Sequence, residues 1–167
     1  IRLLVRNHLI TPIPMDKVLE IDQTDLAILR IMVRDADLSY AEIGKRVFVS
    51  GGTVHVRVAK MRQMGIIRGT KLDIDVAKLG WDITSYLGIY LDKSSLYDSV
   101  ASQLAEIPEV INLHYTTGQY GIFAKIQCRD TGHLREVLHD KIQKVAGIQR
   151  TETIISLEES LNRPIPI

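Results

Sequence analysis

Residues 39–73, SYAEIGKRVFVSGGTVHVRVAKMRQMGIIRGTKLD, carry the feature that most limits what this chain can fold into. Two short amphipathic segments are separated by a three-residue break, and the second runs into a basic tail. Over residues 39–72, Lys45, Arg46, Arg57, Lys60, Arg62, Arg68 and Lys71 stand against a single acid, Glu42. At 3.6 residues per turn, Val54, Val58, Met61 and Met64 share one face of the second segment, while Gly52, His55, Val56, Ala59 and Gln63 face away. Ser50 is placed to cap this segment and Gly65 to end it, with Ile66 and Ile67 leading into a short hairpin. Gly44 supplies a small residue where the two helices cross. The pattern predicts a winged helix-turn-helix, and a basic stripe of this kind is the electrostatic footprint of a polyanion.

The rest of the chain says where that basicity belongs. Its 167 residues are 46% hydrophobic and carry a formal net charge of only +1, so the chain can bury a core and its positive charge is local. The lone cysteine, Cys128, excludes an intramolecular disulfide framework, and no apolar run approaches the roughly 20 residues of a membrane span. A reducing cytoplasm is the expected setting.

In chain order, residues 1–14 read as a leader or tag-derived arm before Met15, with an edge-pairing native arm as the alternative. Residues 15–75 form the expected DNA-binding domain. Its first helix spans 21–33, capped by Asp22, with Asp25 beside the positive helix end. Ser39 and Glu42 have the spacing of a capping box for the next helix. Residues 76–82 (VAKLGWD) break the periodicity and are expected to be a linker, with Trp81 packing the hinge. From 83 to 158 the order reads strand, helix, two strands, helix, strand: an α+β, ferredoxin-like βαββαβ domain, followed by a tail over 159–167. Ile89, Leu91, Tyr115, Ile122, Ala124, Ile126, Ile154 and Ser156 supply apolar or small positions on alternate sheet faces, which predicts a homodimer packed sheet to sheet.

With both halves read, the sequence resembles the Lrp/AsnC transcriptional regulators over about residues 21–166, with the asparagine-responsive branch the best match. The resemblance rests on DQTDLAILRIMVRDADLSYAEIGKRV, SGGTVHVRVAKMRQMGII, YTTGQYGIF, KIQ and IQRTETII. It implies a DNA-binding domain joined to an amino-acid-sensing domain, dimers assembling to octamers or larger species, and no cofactor or metal. It also implies a nucleoid-associated protein. By position, Thr116, Thr117, Gly118, Gln119, Tyr120 and Gly121 match the effector loop, Tyr115 the pocket edge, and Gln143 a side chain able to recognise a carboxamide. Asparagine is therefore the expected effector. On double-stranded DNA, Thr53, His55 and Val56 are expected near base edges. Ser50, Lys60, Arg62, Arg68 and Lys71 are expected to contact phosphates, with Arg57 bracing the domain.

Three positions depart from the family pattern. Phe48 stands where a left-handed glycine is common, Gly51 where a proline is frequent, and Gly121 where Asp or Ser usually follows the tyrosine. Siroheme decarboxylases look like this family in both domains, which makes an enzyme the competing class and His114, His133 and His139 the residues to watch. Those histidines have no zinc-ligand spacing, and no Ser-His-Asp or paired-carboxylate set is recognisable, so an enzyme is not expected. An effector-independent architectural protein is a third reading.

Overall fold

The computed structural model describes residues 21–167, so the expectations for residues 1–14 and for Met15 lie outside the described residues. These residues divide into two compact units. One runs to Asp73 and includes Leu161–Ile167; the other is Ile74–Ser160.

The first unit holds three helices, α1 (Gln23–Arg34), α2 (Tyr40–Val47) and α3 (Gly51–Gln63). Each starts where a short polar side chain can satisfy an otherwise orphaned N–H. Asp22 accepts from the Asp25 N–H at 2.8 Å, and Asp25 returns the favour by accepting from the Asp22 N–H at 3.0 Å. The full capping box is therefore at α1. At α2, Ser39 accepts from the Glu42 N–H, but the Glu42 carboxylate takes the Ser39 hydroxyl at 3.4 Å instead of the backbone. Ile28, Leu29, Ile43, Val54, Val58 and Met61 form the core between the helices. Met64 is only half-buried, because α3 has already ended when its turn comes round.

One further expectation needs correction here. Residues 66–75 form no strand pairing, so the hairpin of the wing is not made. Leu72 and Ile74 are exposed with no partner strand, and the polar residues flanking them offer no buried face that would fix a register. Phe48 does adopt the left-handed conformation (φ 58°, ψ 40°), as the C-cap of α2. Packing does not offset the strain, because the residue is 95% exposed. Phe48→Gly is accordingly expected to stabilise the unit by about 1 kcal/mol, the strain relieved minus the entropy that glycine adds to the unfolded chain. Thermal unfolding followed by helical circular dichroism reads this as a higher midpoint; a lower one would mean that the ring contributes packing that outweighs the strain.

The second unit is a four-stranded antiparallel sheet in the order β2-β3-β1-β4. Its elements are β1 (Ile83–Leu91), α4 (Tyr97–Ala105), β2 (Val110–Tyr115), β3 (Ile122–Cys128), α5 (Thr131–Glu136) and β4 (Ile148–Ile155). The second helix of this unit is not regular throughout: α5 passes into a π-helical turn, Val137–Lys141, and then a 3₁₀ turn, Ile142–Lys144. Leu87, Ile89, Ile122, Ala124 and Ile126 join Val100, Leu104, Val137 and Ile142 in the core. Most of the apolar residues expected to build a sheet-to-sheet interface thus face the helices. By pairing parity, the open face carries Tyr86, Tyr90, Phe123, Lys125, Arg150, Glu152 and Ile154.

Candidate functional site

On α3 the cap, the buried stripe and the free face fall into place together. Ser50 accepts from the Thr53 N–H at 3.0 Å, and the two hydroxyls lie 2.9 Å apart, so Ser50 is engaged in starting the helix. Beyond the cap, Gly52, Thr53, Val56, Arg57 and Lys60 line one open groove with Asp22 and Asp25. Val56 is 67% exposed, an apolar side chain left uncovered on the free face. His55 is exposed and leans on the Tyr40 ring, with centroids 5.8 Å apart. Arg62, Arg68 and Lys71 are exposed as well, the last two on the segment where the hairpin is absent.

Arg57 is a brace. Its Nη1 lies 2.7 Å from Asp22 and 2.9 Å from the buried carboxylate of Asp25, tying the middle of α3 to the start of α1. The Asp25 hydrogen bond, then that of Asp22, raises the Arg57 pKa. The Asp22 carboxyl is held below its ordinary value, first by the Asp25 N–H and then by Arg57. Gly51 meets α2 closely: a Cβ there would lie 3.1 Å from Ala41 Cα. It permits a close approach of α3 to α2.

In the second unit the loop 116–121 is closed by its own chain. The Thr116 hydroxyl donates to the Tyr120 carbonyl at 2.7 Å, the Gly121 N–H donates to the Ile89 carbonyl at 2.9 Å, and Gly118 turns the chain at φ 130°. Thr117, Gly118 and Gln119 are exposed. Tyr115 packs on Tyr97, with centroids 4.2 Å apart. A side chain at Gly121 would meet Leu91 Cδ1 at 2.8 Å, so Leu91 occupies the space that Asp or Ser would need. Gln143 is exposed in the 3₁₀ turn, and its amide makes no hydrogen bond among the described residues.

Tyr120 is committed to the open sheet face. Its ring lies on Gly88, where a Cβ would come within 2.5 Å, and its hydroxyl donates to Glu152 at 2.7 Å. Tyr90 donates to the other Glu152 oxygen at 3.0 Å, and the Arg150 guanidinium sits 3.7 Å above the Tyr90 ring. Tyr120 first and Tyr90 second hold the Glu152 carboxyl below its usual range. The sequence reading missed Tyr90, Arg150 and Glu152. The signal was present as an Arg and a Glu two residues apart on one strand, which puts them on one face.

The histidines of the competing reading are otherwise occupied or isolated. His133 bonds Glu109, His139 bonds Asp140, and His114 is exposed on the open sheet face. Burial pushes the Cys128 thiol up to about 11, which leaves it unreactive at neutral pH. No helix among the described residues is long and apolar enough to cross a membrane.

A capped helix-turn-helix with a free, partly apolar face, joined to a ferredoxin-like domain, is the architecture of a DNA-binding regulator with a second domain. Comparison with known proteins agrees in both halves: residues 21–68 match the winged helix-turn-helix DNA-binding model, and residues 84–166 match the Lrp/AsnC ligand binding domain. The regulatory protein AsnC of Haemophilus influenzae is 46% identical over 145 residues, 87% of this chain and 97% of that protein. AsnC of Escherichia coli K12 is 43% identical, covering 87% and 95%. The solved structure of E. coli AsnC superposes with a TM-score of 0.83 at 42% identity, covering 87% of this chain and 97% of that one. The chain belongs to the Lrp/AsnC family of transcriptional regulators. Its relatives are named as regulators, which places it outside the enzyme class.

Proposed function

We propose that the chain reads DNA with α3 and changes its assembly when a free amino acid, asparagine first among the candidates, binds at the loop 116–121. Thr53, His55 and Val56 approach base edges, the exposed Val56 suiting a thymine methyl. Ser50, Lys60, Arg62, Arg68 and Lys71 hold phosphates. A second copy packs on the open sheet face over Tyr86, Phe123 and Ile154, and the dimer spaces two α3 helices by about one turn of DNA, roughly 34–36 Å. Dimers join into octamers or larger species, working in the cytoplasm on the nucleoid.

What supports the effector reading is an exposed glycine loop together with, in the same unit, a Gln143 amide without a hydrogen bond among the described residues, which can donate to and accept from a carboxamide at once. The loop carbonyls and N–H groups supply the contacts to ammonium and carboxylate. An effector acts only by binding one assembly state more tightly than another.

Calorimetric titration of refolded, ligand-free protein with the common amino acids tests this reading. Asparagine heat at a fixed ratio per subunit, lost in Gln143→Ala, is the expected outcome. Silence from every amino acid on a folded protein would sink it. On the DNA side, Arg62→Ala is expected to weaken binding to all sequences and to lower the salt slope by about 1. An unchanged slope would remove Arg62 from the phosphate contacts.

A further inference from the structure

A second pocket, of about 400 Å³, opens at the far end of β3 from the effector loop, some 20 Å away by the length of the strand. Trp81, Glu109, Arg129, Asp130, His133 and Glu136 line it, the Asp130 carboxylate being engaged as the cap of α5, where it accepts the His133 N–H at 2.8 Å. Arg129 stacks over the Trp81 ring at 5.4 Å, and its guanidinium has no carboxylate partner among the described residues. Glu136, exposed one turn along the helix, likewise has no basic partner among them.

Glu109 is only 7% exposed. Its Oε1 takes Lys141 at 2.6 Å and His133 at 3.2 Å, while its Oε2 has no hydrogen-bond partner. His133 is fixed by a second bond, its Nδ1 accepting the Arg129 N–H at 3.2 Å, so Nε2 carries the proton toward Glu109. Lys141 reaches the same oxygen from the π-helical turn, a local irregularity that is frequent at functional sites.

Unpaired charges of both signs in one polar pocket select a particular class of ligand. The guanidinium disfavours a bare cation, and the carboxylates disfavour a bare anion. A molecule carrying both charges a few bonds apart satisfies each. We propose that this pocket binds a free amino acid as its zwitterion, with Arg129 on the carboxylate, Glu136 and Glu109 toward the ammonium, and Trp81 as the wall for the side chain. The site is separate from the loop 116–121 and does not rest on the effector reading given above.

Trp81 is the chain's single tryptophan, so its emission reports this pocket without labelling. Intact protein is titrated with each common L-amino acid except tryptophan, with butylamine and butyrate as the two half-ligands. The expected result is a saturable emission change with at least one amino acid and none with either half-ligand. Arg129→Gln and Glu136→Gln each weaken it about tenfold, the worth of one charged hydrogen bond, and Gln143→Ala leaves it intact. Emission indifferent to every amino acid would overturn the proposal, as would a response unchanged in both pocket variants. A response abolished by Gln143→Ala alone would report the effector loop, sinking this site while leaving that reading in place. A Trp81 response that persists where the loop shows no binding supports this site and counts against the loop.

Discussion

Gly44→Ala is expected to cost about 3 kcal/mol, the upper range for overpacking, and with it most of the DNA binding. A Cβ at residue 44 would lie 2.5 Å from the Val49 carbonyl oxygen, 3.1 Å from the Ser50 carbonyl carbon and 3.2 Å from the Gly51 N. All three are backbone atoms of the turn and of the first residue of α3, so no side-chain rotation relieves the contact. The Gly44 carbonyl also accepts the Phe48 and Val49 N–H groups, which pins the turn to the same residue. The only relief is to part α2 from α3, opening the core at Ile43, Val54 and Val58. A domain this small has a total stability of only a few kcal/mol at about 0.1 per residue, so the loss removes much of it. The measurement is thermal unfolding by two probes, helical circular dichroism for the three-helix unit and Trp81 emission for the sheet unit. The helical transition should fall sharply while the Trp81 transition holds. An unchanged helical midpoint with full DNA affinity would mean that the crossing tolerates a methyl group.

What could be read from the sequence was local chemistry. Asp22, Ser39 and Ser50 announce helix starts because a cap involves residues three apart. The strand positions followed from alternation, and β1 matches its expected span from Ile83 to Leu91. Alternation separates two faces of a strand but does not say which face meets the helices. That is why Ile89, Ile122, Ala124 and Ile126 were expected to help build an interface and lie instead in the core. The wing failed for a related reason: Ile66 and Ile67 look like a strand start, but pairing needs a second strand, and residues 68–75 offer none.

The cluster around Glu109 was illegible for a different reason. His133 and Lys141 are eight apart, about 80° out of phase on a regular α-helix, and only the π-helical turn brings both to one oxygen. The loop 116–121 was visible as a glycine pattern. That Leu91 fills the space beside Gly121 requires the fold, because the two residues meet across paired strands.

That same turn sets up the second large effect. Lys141→Met, which keeps the aliphatic stem and removes the ammonium, is expected to lower the stability of the sheet unit by about 2 kcal/mol at pH 7. The figure is the cost of leaving a buried carboxylate short of its strongest partner, reduced because the Lys141 side chain is 41% exposed. The pH dependence gives the test its sign. Burial alone pushes the Glu109 carboxyl up, but Lys141, the Glu109 backbone N–H and His133 outweigh it, so its folded pKa lies below the ordinary 4.5. A depressed carboxyl contributes stability that is present above the unfolded pKa and lost as pH falls through the folded value. Without Lys141 the burial effect is opposed only by the weaker partners, and that contribution shrinks or reverses. The two proteins should therefore differ most in melting temperature at neutral pH, and the gap should close as the pH falls through the depressed folded value of Glu109 in the parent protein. A gap of equal size at pH 7 and pH 3 would show that Lys141 acts through its packing and not through its charge.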